Sequence, residues 1–386
     1  MWEFLLLPVA AMSGWMAARR HYEKRSTPRS CSAGYFQGLN YLLNEQPDKA
    51  IDIFTRMAEI NGRTVETQLT LGNLFRRQGE ISRAICLHQD IIIRSDLDRE
   101  QRIQAILELG RDYMRAGLFD RAENLFLELI NLDAHTDIAL RSLVDIYQQE
   151  KDWEKAIAFL QRLGSSIEYS VQREISHYYC ELAESSAEKG DYSQTLILLN
   201  QALNTDPHCV RASLLENRIA AQIGDYHTAI AALHRVEHQD PEFIGEIIEP
   251  LREVYKALGT HKEFENYLSE LLKRHDNDFL IIANAELIRT ASGELAAIQF
   301  LADYLSRLPS IRGIKRLLEL DLSHYEGKTR EHLTLINNLV ENLLSNRPLY
   351  CCSHCGFTGK FLHWQCPSCK LWSMVRPVCQ ISYDHL

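Results

Sequence analysis

The sequence predicts an all-α solenoid of stacked helix pairs that ends in a small four-cysteine metal unit, and three observations carry that reading. Gly and Pro are scarce, at 18 and 10 of 386 residues, so the chain can run as helices joined by short turns. A pattern of small and aromatic residues returns every 34 positions from Tyr35 onward, the span of two helices and their turns. Two Cys-x-x-Cys pairs, Cys352/Cys355 and Cys366/Cys369, lie close together near the C-terminus.

Residues 1–20 are expected to form an N-terminal transmembrane helix. From Trp2 to Ala18 the only charge is Glu3, and these 17 residues sit at the lower limit for crossing a hydrocarbon core of about 30 Å. No Lys or Arg precedes the run, which argues against a cleaved secretory signal. Arg19, Arg20, Lys24, Arg25 and Arg29 follow it against a single Glu23, so the positive-inside bias puts the body in the cytoplasm. The alternative, an amphipathic helix packed on the first repeat, is disfavoured by Pro8 and Gly14. Residues 21–34, polar around Pro28, read as a basic juxtamembrane linker.

Residues 35–347 are expected to hold eight or nine helix pairs. Gly38, Tyr41, Ala50 and Phe54 recur as Gly72, Phe75, Ala84 and His88. After a lengthening near Asp96 to Glu100 they recur again as Gly110, Tyr113, Ala122 and Phe126. Tyr147, Ala156 and Leu160 continue the series, as do units around Gly190–Tyr192 and Gly224–Tyr226. Weaker copies follow at Tyr255, Gly259, Phe264 and Leu268, then at Ala297 and Leu301, and Ile314 to Leu344 supplies a last pair. Small residues belong where the two helices of a pair cross, and large ones fill the gaps between neighbours. Each unit then buries its apolar face by stacking on the next, and the inner wall of the array can hold a peptide or protein. Asn40, Asn73, Arg76, Arg111 and Asp145 on first helices are read mostly as solvated residues, a few of them available to clamp a partner's backbone along that wall, and none is assigned as a site.

A net charge of −10 excludes a general nucleic-acid binder, whose footprint would be basic. No Gly-rich phosphate loop, His-Glu-x-x-His or Gly-x-Ser-x-Gly is present, so the chain is read as no enzyme. His177, His208, His227, His234 and His238 are scattered and read as surface or helix-packing residues.

Residues 348–386 form the expected metal unit. Cys352, Cys355, Cys366 and Cys369 can deliver four thiolates to one ion at about 2.3 Å, with Gly356 and Pro367 suiting the tight turns between them. Zinc is favoured, iron is possible, and either site would be closed and structural because four protein ligands leave no position for water. His354 and His363 are expected to lie nearby without ligating, and Cys351 has no assigned role. Cys86, Cys180 and Cys209 show no disulfide framework and read as small core residues.

The repeats resemble the tetratricopeptide repeat over about Tyr35 to Asn346, and the cysteine pairs resemble a shortened rubredoxin knuckle pair. The order of anchor, repeats and CysSerHisCysGlyPhe with CysProSerCys is similar to the lipopolysaccharide assembly protein B (LapB or YciM) family over the whole chain. That resemblance implies a single-pass protein of the bacterial inner membrane, N-terminus periplasmic and body cytoplasmic, in contact with membrane lipid. It implies an adaptor that promotes degradation of the lipid A pathway deacetylase by a membrane-bound AAA+ zinc protease, opposed by an inner-membrane regulatory protein at the transmembrane region. In the family Cys352, Cys355, Cys366 and Cys369 take the metal-ligand role, and the metal unit is expected to cap the last repeats. A general scaffold or chaperone for envelope enzymes, and an iron-binding electron-transfer protein, stay open as alternatives, as does a homodimer.

Overall fold

The computed structural model describes residues 37–378 apart from 39, 42, 45, 61–63, 164–167 and 346. The expected anchor (1–20) and linker (21–34) lie outside the described residues. Among those described, no helix is long and apolar enough to cross a membrane. The chain forms two compact units, Met1–Leu163 and Gly164–Leu386.

In the first unit, helical turns at 37–38 and 40–41 precede α1 (Pro47–Ile60), α2 (Val65–Gln78), α3 (Ile81–Ile93), α4 (Arg99–Ala116), α5 (Phe119–Asn131), α6 (Thr136–Glu150) and α7 (Trp153–Arg162). The repeat pattern explains their packing. A Cβ built on Gly38 would lie 2.6 Å from the Phe54 ring, and one on Gly110 would lie 2.9 Å from Phe126, so only glycine lets these rings sit on the first helix. Ala50, Ala84, Ala122 and Ala156 are fully buried beside them. Each buried Phe contributes about 1.5–3 kcal/mol of transfer free energy.

His88 takes the equivalent place over Gly72 and changes its chemistry. Its Nδ1 lies 2.5 Å from Asp112 on α4, and Asp112 in turn accepts from Arg76 of α2 at 2.8 Å. Arg76 also donates to Glu108 at 2.6 Å and to Asn73 at 2.8 Å, while Arg111 donates to Glu108 at 2.8 Å. The boundary between these two repeats is thus a buried ionic network where its neighbours use an aromatic ring.

The turns are equally local. Gly117 closes α4 at φ 72°, with its N–H donated to Met114 and the Leu118 N–H to Tyr113. The same turn after α6 is made by Lys151 at φ 59°, a left-handed conformation that carries a Cβ penalty.

The second unit continues with α8 (Glu168–Glu188), α9 (Tyr192–Thr205), α10 (Val210–Ile223), α11 (Tyr226–Gln239), a 3₁₀ turn (Pro241–Phe243), α12 (Ile244–Leu258), α13 (His261–Arg274), α14 (Asp278–Ser292), α15 (Glu294–Leu305), α16 (Ile311–Asp321) and α17 (Gly327–Ser345). Asp191 and Asp225 cap α9 and α11 by accepting from the N–H groups of Gln194 and Thr228. The first helices α8, α10, α12, α14 and α16 contact one another in sequence and form one continuous layer. The core of this unit gathers Leu233, Ile247, Leu251, Leu268, Leu271 and Leu280. Three short strands follow: β1 (Tyr350–Cys352), β2 (Thr358–Gly359) and β3 (Val375–Pro377). The described residues therefore form the expected all-α solenoid with a small C-terminal cysteine knuckle.

Candidate metal centre

The strands pair antiparallel in the order β2-β1-β3, with Tyr350 opposite Gly359 and Cys352 opposite Val375. Cys352 ends β1 and starts the first knuckle. Its N–H is donated to Phe357 at 2.7 Å, and the Gly356 N–H returns to its carbonyl at 3.0 Å. The second knuckle repeats the arrangement, with the Cys366 N–H on Leu371 at 2.9 Å and the Lys370 N–H on Cys366 at 2.9 Å. The residue after each pair, Gly356 and Lys370, has positive φ (73° and 61°), which turns the backbone back toward the sulfurs.

These turns bring the four sulfurs of Cys352, Cys355, Cys366 and Cys369 within 4.8 Å of one another. Cys352 and Cys369 are 3.8 Å apart, and Cys355 and Cys366 are 3.6 Å apart. A tetrahedron with metal–sulfur bonds of about 2.3 Å has edges of about 3.8 Å, so the spacing fits one four-coordinate ion. Among the described residues this is the one group of three or more such side chains that could hold a metal. The Phe357 N–H lowers the Cys355 thiol to about 6 against the effect of burial. The Leu371 N–H acts in the same sense on Cys369, but burial and the three adjacent thiols outweigh it and push that thiol up to about 12. The Cys355 thiolate forms readily, whereas burial and the neighbouring thiols keep the proton on Cys369 until a cation replaces it.

Cys351 points off the cluster, as strand alternation requires, with its sulfur 3.8 Å from the Cys352 carbonyl. His363 sits edge-on to Phe357 and His354 is exposed; neither belongs to the sulfur group.

The expectation that this unit caps the last repeats is overturned. It docks instead on α8, α10, the 3₁₀ turn and α12. Trp372 stacks on His177 (4.9 Å) and meets Tyr178 edge-on (5.8 Å), and Trp364 stacks on Phe243 (5.7 Å). Ser373 hydrogen-bonds His177, Tyr350 donates to Glu246 at 2.7 Å, and Arg376 pairs with Asp240 and Glu242 at 3.0 and 2.8 Å. The reason is chemical: aromatic and acidic partners for the two tryptophans and Arg376 lie on these helices. On α17 no residue is buried, and Leu335, Ile336, Leu339 and Leu343 remain exposed.

The tetratricopeptide repeat family matches residues 107–166. The lipopolysaccharide assembly protein B of Escherichia coli K12 is 37% identical over 378 residues, covering 97% of each chain. The chain belongs to the lipopolysaccharide assembly protein B family. The Haemophilus influenzae member is 36% identical over 386 residues, again with 97% of each chain covered. Among solved structures, the C-terminal part of a TPR repeat-containing protein from Cytophaga hutchinsonii is similar with a TM-score of 0.40 and 11% identity, covering 73% of this chain and 99% of that one.

Of the polar first-helix residues read mostly as solvated, Arg76, Asn73 and Arg111 are committed to the Glu108–Asp112 network. Asn40 and Asp145 are exposed. The sequence reading did not find the docking residues Trp364, Trp372, Ser373 and Arg376. Their one signal was a pair of tryptophans flanking Cys366 and Cys369, more aromatic surface than a closed four-thiol site needs.

Proposed function

We propose that this chain is an adaptor in lipopolysaccharide assembly that works by holding other proteins together at the inner membrane and performs no chemistry of its own. The observation that carries this reading is the 97% coverage of both chains in the match to the Escherichia coli and Haemophilus influenzae proteins, whose name assigns them to lipopolysaccharide assembly. A layer of first helices supports it, since such a wall suits protein clients. The four-thiol group supports it too: an ion bound there has every coordination position filled by protein. Residues 1–20 anchor the body, and the client is the lipid A pathway deacetylase, presented to a membrane-bound AAA+ protease. Tethering both near one surface raises their effective concentration. Cys352, Cys355, Cys366 and Cys369 hold one ion, zinc rather than iron, as a fastener.

The test is the lifetime of the deacetylase after depletion of this protein. A longer lifetime is expected; an unchanged one refutes the adaptor reading, and a pull-down dominated by other envelope enzymes would make it a general scaffold. Metal analysis with a visible spectrum is expected to give one colourless zinc per chain, whereas a coloured iron centre that cycles would favour electron transfer.

A further inference from the structure

We infer that the client site is a groove walled jointly by α10, α12 and the metal unit, and that it takes an extended peptide in which an apolar side chain is flanked by an acidic and a basic residue. This rests on the adaptor reading above and names the place and chemistry of capture. The groove contains a cavity of about 740 Å³ whose apolar lining comes from Leu214 of α10, Val254 of α12 and Leu362 and Trp364 of the metal unit. A second hollow of about 320 Å³, between α8 and α10, shares Leu215, Arg218 and Gln222 with it, so the groove runs on along α10. Phe361, next to Leu362 on the same loop, is 76% exposed, a large apolar side chain without cover beside the groove.

The polar features select the ligand. Pro250 stands inside α12 among the residues that line the cavity and has no N–H to give the Glu246 carbonyl one turn earlier. A bound extended segment can satisfy it with one of its own N–H groups. Most charges around the cavity are committed: Arg211 to Glu181 and Glu184, and Glu246 to Tyr350. Arg218 of α10 and Glu253 of α12 are exposed and have no partner among the described residues. Residues two apart in an extended chain share one side and the residue between them faces the other, so the acid and the base meet the exposed Arg218 and Glu253 while the apolar side chain between them turns onto Leu214, Val254, Leu362 and Trp364. Because Leu362 and Trp364 belong to the knuckle, the metal unit builds part of the groove wall.

The experiment selects a displayed library of random peptides on the full-length protein in detergent. Enriched sequences are expected to carry an acid and a base flanking an apolar residue. Arg218→Glu and Glu253→Lys are each expected to weaken them about tenfold or more with thermal unfolding unchanged. No enrichment, or enriched peptides indifferent to both reversals, overturns the groove. Purified deacetylase separates the two readings. Full binding to both variants shows a client held elsewhere and also overturns the groove. No binding even to the unaltered protein removes the adaptor reading, while the peptide selection still decides the groove.

Discussion

The Trp372 indole lies face to face with the His177 imidazole, centroids 4.9 Å apart, and joins the metal unit to α8 across 195 positions of sequence. Both rings are nearly inaccessible, Trp372 at 7% and His177 at 1% exposure, and the Arg211 guanidinium lies 5.9 Å from the indole. Truncating such a ring removes both its transfer free energy and its packing. Trp372→Ala is expected to cost about 3–5 kcal/mol and to release the knuckle for proteolysis between α17 and β1. Limited digestion alongside thermal unfolding checks this; an uncut chain with unchanged melting would show that the stack contributes nothing.

The same histidine makes the joint sensitive to acid. Burial, then the charges of Arg211 and Arg173, holds the His177 imidazole well below its ordinary 6.5, so it is neutral in the docked state. The groups facing it from the metal unit, Ser373 and Trp372, carry no charge. In the unfolded chain it titrates normally. Above 6.5 neither state is protonated and the stability is fully present. Below 6.5 the unfolded chain takes up a proton that the folded state refuses, and stability falls by up to about 1.4 kcal/mol per pH unit. Urea unfolding at a series of pH values should show this slope, and His177→Phe should flatten it.

What the sequence showed and what it hid divide along contact distance. The Gly38–Phe54 crossing and the Cys-x-x-Cys turns were legible because a helix pair and a knuckle are built from neighbours at fixed spacing. The docking of the metal unit was not, because Ser373 meets His177 across 196 positions and no local period links them. The ionic network lies between. Arg76 finds Glu108 and Asp112 32 and 36 positions on, close to one repeat length, so opposite charges recurring one period apart were the signal. Reading Asn73, Arg76 and Arg111 as solvated missed this network because a side chain on a first helix can turn toward the next repeat as easily as toward solvent.

Loss of a thiolate tests the metal centre. Cys366 is wholly inaccessible, and its sulfur lies 3.6 Å from that of Cys355. Cys366→Ser is expected to reduce bound metal from one ion per chain to a small fraction and to loosen β1, β2 and β3, with the helical content kept. Cys351→Ser, whose sulfur lies off the cluster, should leave metal content unchanged. Elemental analysis with circular dichroism separates the two, and a chelator should reproduce the first result on the unaltered protein.

His88→Phe is the sharpest test of the buried network. Phenylalanine fills the equivalent place over Gly38 and over Gly110, so by repeat pattern alone the change should stabilise the first unit. The structure argues the reverse. Asp112 is wholly inaccessible, and its Oδ2 is held by His88 while Oδ1 is held by Arg76. A phenyl ring has no donor, so one oxygen of a buried carboxylate would lose its partner, at about 1–3 kcal/mol. The gain in apolar burial is smaller than that, because the imidazole already occupies the space. His88→Phe is therefore expected to destabilise in denaturant unfolding, and Asp112→Leu in the same chain is expected to recover part of the loss by removing the stranded charge. A His88→Phe protein more stable than the original would show that the ring position, and not the ion pair, sets the stability of this repeat boundary.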